Sequence, residues 1–244
     1  MAFDAPFLII ETGQPAGRMK RHKGFPHWIR VAAGLEPDEA VSFNVEQGET
    51  LPDHAEGFAG VLVTGSAAMV TDRHDWSERT ADWLRQAAHD GVPMLGICYG
   101  HQLIAHALGG EVGWLPQREM GTIDLQTDAE HAARDPLFQG LPAAFNAQAT
   151  HRQTVVSPPE GSVVLARSEL DDCHAFRWQH NVWGLQFHPE FSRTTMQGYV
   201  RTRREALQAE GIDHRELHDK VSATPHARQV LRRFVRHARA ARHR

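Results

Sequence analysis

The segment Gly96-Ile-Cys98-Tyr-Gly100-His101-Gln102 constrains the fold of this chain more than any other. An apolar run, Val92-Pro-Met-Leu95, leads into it, and a helical pattern, Leu103-Ile-Ala-His-Ala-Leu108, follows it. A strand must therefore turn sharply into a helix with a thiol at the tip, the thiol counterpart of the Gly-x-Ser-x-Gly nucleophile elbow. Glycines two positions either side of Cys98 allow the tight turn and keep side chains away from the sulfur. The sulfur then sits at a helix N-terminus, where backbone N–H groups and the helix dipole favour a thiolate. The pattern predicts a reactive cysteine.

The rest of the first hundred residues alternates in the same way. Phe7-Leu-Ile-Ile10 reads as a buried parallel strand that ends near Gly13. Residues 17–27 read as a basic, glycine-containing loop. Pro26 at a first helical position, then Trp28, Ile29 and Ala32 with Gly34 after them, read as a helix and its stop. Val41–Val45 and Phe58–Val63 read as strands, the second ending in Thr64-Gly65-Ser66. Asp75-x-x-Glu78 resembles a capping box that opens a helix with Trp76, Trp83, Leu84 and Ala87 on its apolar face. The alternation predicts an α/β fold: a mostly parallel central sheet flanked by helices, with ligands bound outside the carboxyl ends of the strands. After Gly110 the texture changes. Residues 111–114, 121–126, 162–167, 175–178 and 182–187 read as successive strands, so a mixed or antiparallel extension is expected in the second half. Residues 213–219 read as a connecting loop or excursion.

A chain of 244 residues fits one large domain, here with a core of about residues 1–192 and a C-terminal helical extension of about residues 193–244. Cys98 and Cys173 make no disulfide framework and suggest a reducing compartment. The residues after Met1 lack a basic region and a long apolar stretch, and no segment is long enough to span a bilayer, so a cytoplasmic location is expected. A formal net charge of −4 argues against nucleic-acid binding by the whole chain. From Arg228 to Arg244 the chain is rich in arginine and has no acid, while Val230, Leu231, Phe234, Val235 and Ala238 recur at helical spacing. The expected element is a packed helix with a solvated basic face; an acidic partner or RNA contact is the alternative.

A thiolate nucleophile needs a base, and the base needs a group that orients it. Among 17 histidines, His188 stands out. It follows the apolar run Trp183-Gly-Leu-Gln-Phe187 and precedes Pro189-Glu190, where the proline stiffens the link between imidazole and carboxylate. Cys98, His188 and Glu190 are therefore the candidate catalytic residues. His101 lies inside the helix start and is expected to be structural. His214 and His218 flank Glu216 at helical spacing but lack a third ligand, so no metal site is expected. Cys173 follows two aspartates, which would raise its pKa, and reads as inert.

Gly96-Ile-Cys98-Tyr-Gly100-His101-Gln102 with Phe187-His188-Pro189-Glu190 resembles the class I (triad) glutamine amidotransferase family over about residues 55–192. Within that family, the texture is most similar to the glutaminase domains of GMP synthases and their free-standing relatives. The resemblance implies a flavodoxin-like amidotransferase fold with no cofactor. It implies that the Cys98 sulfur attacks the side-chain amide of glutamine, that ammonia leaves, and that water hydrolyses a γ-glutamyl thioester. An oxyanion forms on the way and needs N–H donors. The Tyr99 backbone N–H is well placed, and Ser66, with Gly65, aligns with the family's second donor. Gln102 matches the family's glutamine-contacting position. Arg118-Glu119-Met-Gly121 resembles a segment that lines the glutamine pocket through backbone atoms. Thr150-His151-Arg-Gln-Thr-Val155 resembles a further segment where relatives often have His-x-Asp; here Gln153 replaces the acid. That leaves open how the substrate amino group is held and whether the donor is free glutamine.

Three functions compete. The first is an amidotransferase or glutaminase component with the acceptor enzyme, a synthetase, in a partner chain, because the chain has no phosphate-binding Gly-x-x-x-x-Gly-Lys loop. The second is a γ-glutamyl hydrolase or peptidase using the same three residues on γ-glutamyl amines or peptides. The third is a regulatory module without turnover, against which the complete Cys-His-Glu set argues.

Overall fold

The computed structural model of the protein describes residues 5–242, so the segment from Met1 and the terminal Arg244 of the basic tail lie outside the described residues. Among the described residues nine strands form a single sheet in the order β2-β1-β3-β4-β9-β8-β7-β5-β6. They are β1 (Phe7–Glu11), β2 (Ala40–Asn44), β3 (Val61–Val63), β4 (Met94–Ile97), β5 (Glu111–Thr127), β6 (Ala144–Ser157), β7 (Ser162–Arg167), β8 (Ala175–Trp178) and β9 (Val182–Leu185). The first five in spatial order pair in parallel, and the remaining pairs, from β9–β8 outward, are antiparallel.

The α-helices of the described residues are α1 (Gly24–Ala33), α2 (Asp75–His89), α3 (Tyr99–Ala107), α4 (Ala129–Arg134), α5 (Arg193–Thr202), α6 (Arg204–Ala209), α7 (His214–Lys220) and α8 (Pro225–Arg242). The parallel strands are buried on both faces, which is why they are written as unbroken apolar runs rather than alternating ones. Phe7 and Ile9 meet Ile29 of α1 and Leu231 and Phe234 of α8 in one core. Leu8 and Ile10 point the other way, into a core with Leu84 of α2 and Leu103 and Ile104 of α3. A third cluster joins Phe25, Phe191, Met196, Tyr199 and Leu207 beneath α5 and α6.

Several local expectations change. The two short strands 111–114 and 121–126 are parts of one 17-residue strand, β5. Pro116, which argues against a regular ladder, falls in a register shift between Trp114 and Glu119. β6 has no counterpart in the sequence pattern; it pairs with β5 along most of its length. The expected capping box is absent: α2 is preceded by His74 with no side-chain cap, and Glu78 instead meets Arg73 and His106. Residues 214–220 form α7, not a loop, because Asp213 accepts from the Arg215 and Glu216 N–H groups and starts the helix. Residues 17–22 form a 3-10 turn, and α1 begins at Gly24, which makes Pro26 its third residue. Among the described residues no helix is long and apolar enough to cross a membrane.

Candidate active site

β3, β4 and β9 are neighbours in the sheet and run in parallel, so their carboxyl ends deliver three separate sequence segments to one place. Cys98 lies between β4 and α3 with φ 54° and ψ −101°. Its N–H donates to the Leu185 carbonyl of β9 at 2.8 Å, and the Gly100 N–H donates to the Thr64 carbonyl at 3.1 Å. The elbow is thus stapled to both flanking strands. A Cβ at Gly96 would lie 2.2 Å from the Gly100 carbonyl oxygen, and one at Gly100 would lie 2.6 Å from the Val63 oxygen. The two glycines therefore relieve backbone crowding between β4, α3 and β3; the close neighbours they avoid are carbonyls rather than the sulfur.

The chain continues past β9 through Gln186 and Phe187 to His188, whose N–H donates to the Gln148 carbonyl of β6 at 2.8 Å. Its Nδ1 is 2.8 Å from Glu190 Oε1, and both side chains are buried. The imidazole stacks on Phe191 with ring centroids 4.1 Å apart, and Phe25 lies beyond, nearly parallel. Nε2 is buried and makes no hydrogen bond. Burial alone would lower the His188 pKa, but the Glu190 carboxylate and the Cys98 sulfur outweigh it and push it up to about 10. The pocket is built to hold an imidazolium.

Gly65 closes the arrangement. A Cβ there would lie 3.1 Å from His188 Cε1 and 3.7 Å from Cys98 Cβ, so Gly65 packs against both side chains and only hydrogen fits. Thr12 holds this loop: its N–H donates to Thr64 Oγ1 at 3.0 Å and its hydroxyl to the Thr64 carbonyl at 2.9 Å. Gly13 backs onto Ser66, where a Cβ would fall 2.6 Å from Ser66 Oγ. The Ser66 hydroxyl accepts from the Ala68 N–H at 3.0 Å. The Tyr99 phenol points away toward Ser77, 2.6 Å distant. The first bond within α3 is from the Gln102 N–H to the Cys98 carbonyl, so the Tyr99 N–H precedes the helical ladder.

The other candidate residues have partners of their own. Gln102 is buried and donates through Nε2 to the Gln153 carbonyl at 2.7 Å and to Gln186 Oε1 at 2.8 Å. Gln153 donates to Thr71 Oγ1 at 2.6 Å. Arg118 makes a two-pronged pair with Glu210, at 2.8 and 2.9 Å. Arg203, at the end of α5, lies beside Arg118 and feels the Cys98 charge; burial and then Arg118 lower its pKa. Glu119 accepts from His174 Nε2 at 2.5 Å and from Ser168 at 2.6 Å, and His151 Nε2 lies 3.2 Å from Asp171. Glu119, His151 and His174 bring one carboxylate oxygen and two imidazole nitrogens within 4.8 Å of one another, the arrangement among the described residues with metal-ligand spacing. Each of these atoms is engaged with its neighbours, as a fully buried polar network requires. Asp171, despite burial, is held well below the usual carboxylate range by His151 and His174. His101 is wholly buried against Phe176, and burial takes its pKa down to about 3. Burial and then Asp171 push the Cys173 thiol up to about 12.

Thr12, Gly13, Phe25, Gln148, Asp171, His174 and Phe191 do not stand out in the sequence as parts of a site. Gly13 registers there only as a strand end; the signal for Thr12 is the hydroxyl immediately after an apolar run. The rest depend on contacts across distant segments.

The model of the family described as glutamine amidotransferase class-I matches residues 38–204. A free-standing glutaminase component of a glutamine-hydrolysing GMP synthase from Methanococcus aeolicus is 36% identical over 188 residues, 77% of this chain and 88% of that protein. A glutamine-hydrolysing GMP synthase from Thermomicrobium roseum is 37% identical over 137 residues, 56% of this chain but 24% of that protein, so this chain spans about a quarter of that relative's length. A glutamine amidotransferase from Thermotoga maritima shares the fold at a TM-score of 0.74 and 19% identity, over 96% of this chain and 98% of the other. One from Methylobacillus flagellatus does so at 0.72 and 21%, over 96% and 95%.

Proposed function

The chain belongs to the class I glutamine amidotransferase family, a family of enzymes, and from that premise we propose that it hydrolyses the side-chain amide of glutamine through a thioester on Cys98. The observation that carries this reading is the meeting of Cys98, His188 and Gly65 at three adjacent strand ends. In the proposed reaction the Cys98 thiolate attacks the amide carbon. The oxyanion is taken up by the backbone N–H groups of Tyr99 and Ser66, with Gly65 small enough to let the substrate approach. The Ser66 hydroxyl is spent on its own turn, so the backbone is what Ser66 offers. His188, charged and steadied by Glu190, gives a proton to the leaving ammonia. It then takes a proton from water, which attacks the thioester; glutamate leaves and the thiolate returns. Arg118 and Arg203 place positive charge beside the site, in keeping with a substrate that carries a free carboxylate. Side chains, backbone and water supply every step.

The ammonia would pass to an acceptor enzyme in a partner chain; the separate-chain organisation of the Methanococcus relative supports this. A second reading, hydrolysis of γ-glutamyl amines or peptides, is favoured by Gln153, a neutral group where relatives often carry an acid. Glutamate release should be measured from glutamine and from several γ-glutamyl amines, with and without cell extract. Glutamine turnover stimulated by extract is the expected result. Turnover of γ-glutamyl conjugates alone would overturn the first reading in favour of the second.

A further inference from the structure

On the far side of Phe191 from His188 lies a groove of about 930 Å³ between the end of α1 and the first turns of α8. Its walls carry Arg193, Arg228, Arg232, Arg236 and Arg239, and among the described residues no acid lines it. Arg239 is paired with Glu39 and lies over the Phe7 ring, and Arg232 donates to the Ala32 carbonyl. Arg193, Arg228 and Arg236 have no acidic partner among the described residues. Two helices also begin here: α5 after Ser192, and α8 at Pro225, with the Arg228 N–H donating to the Thr224 carbonyl as its first bond. Ser192, Thr224 and Pro225 all line the groove, so the N–H ends of two helices face the same space as the guanidinium groups.

Unpaired arginines crowded on one concave wall repel one another, and an anion relieves that repulsion. Guanidinium forks match phosphate oxygens in pairs, and helix N-termini present N–H groups and partial positive charge to the same ligand. The volume falls within the range of small-molecule sites, roughly 300–1,000 Å³. The overall charge of −4 confines this basic character to the groove rather than spreading it as a polymer-binding surface would. We propose that this groove is a binding site for a phosphorylated small molecule bearing at least two phosphate groups. Phe191 forms its inner wall, so the occupant would sit one aromatic ring away from His188.

The test is calorimetric titration of the full chain with inorganic pyrophosphate and with ADP at low salt. The comparison is the double variant Arg228→Glu/Arg236→Glu, whose circular dichroism and unfolding midpoint without ligand should match wild type. Saturable binding of pyrophosphate or ADP, weakened at least about tenfold in the double variant, supports the site. Tighter binding of ADP than of pyrophosphate would assign the occupant as a nucleotide. No saturable binding of either probe would overturn the proposal, as would equal binding by the double variant. Tighter binding of an oligoglutamate peptide or an RNA oligomer would also overturn it, assigning the groove to a macromolecule.

Discussion

Cys98 holds a backbone conformation that its own Cβ opposes, with φ at 54°. Such strain costs on the order of 1–3 kcal/mol and persists only where the surroundings impose it. Here they are the bonds from Cys98 to Leu185 and from Gly100 to Thr64. Cys98→Gly should therefore be at least as stable in urea unfolding as Cys98→Ala, while neither releases glutamate. Glu190→Gln keeps the imidazole in place but removes the charge that supports it, so turnover should fall by about 10²–10⁴-fold. The same substitution should change the pH profile. His188 must be protonated to release ammonia, so wild-type kcat/KM should fall as pH rises through about 10. In Glu190→Gln that alkaline limb should move to lower pH. A limb that stays in place would separate Glu190 from the basicity of His188.

At the level of elements, the strand ends are legible in the sequence and their supports are not. The elbow and the His188 turn can be read because each is written in consecutive residues between an apolar run and a stop. Gly65-Ser66 can be placed at a strand end for the same reason. Thr12 and Gly13 escape because their role is defined 52 residues away, in the hydroxyl bonds to Thr64 and the contact with Ser66. β6 escapes because its buried face carries Gln148, His151 and Gln153, polar residues satisfied only by distant partners. A period-two apolar pattern is blind to such a strand. Two consequences can be measured. Thr12→Val leaves buried Thr64 groups without partners and should cost about 1–3 kcal/mol, with kcat falling more than KM changes. Gly96→Ala places a Cβ against the Gly100 carbonyl and should destabilise by about 3 kcal/mol, or prevent folding. A wild-type unfolding midpoint for Gly96→Ala would show that β4 and α3 are less tightly seated than described.

Across the whole molecule, buried histidines set opposite limits on pH. His188 has its pKa raised, so its contribution to stability is complete below the unfolded value of 6.5 and is lost as pH rises toward about 10. His101 has its pKa lowered by burial, so its contribution is complete above 6.5 and is lost as pH falls toward about 3. Each change is worth up to about 1.4 kcal/mol per pH unit. The urea midpoint should therefore peak near neutral pH and decline on both sides, and the acid decline should flatten in a His101→Gln variant. α8 belongs to this scale as well, because Phe234 and Leu231 sit in the same core as Phe7 and Trp183. Phe234→Ala should cost about 3–5 kcal/mol. The helical period of that tail and its basic face are visible in the sequence; that the basic face closes a groove behind His188 requires α1 and the chain after Glu190 to be folded beside it.

The central claim is a covalent γ-glutamyl group on Cys98, and intact-mass spectrometry of acid-quenched enzyme after mixing with glutamine tests it most directly. The account predicts a mass gain of one γ-glutamyl group, mapped to the peptide containing Cys98 and absent from Cys98→Ala. Steady glutamate release by Cys98→Ala, or an adduct on Cys173 instead, would contradict it.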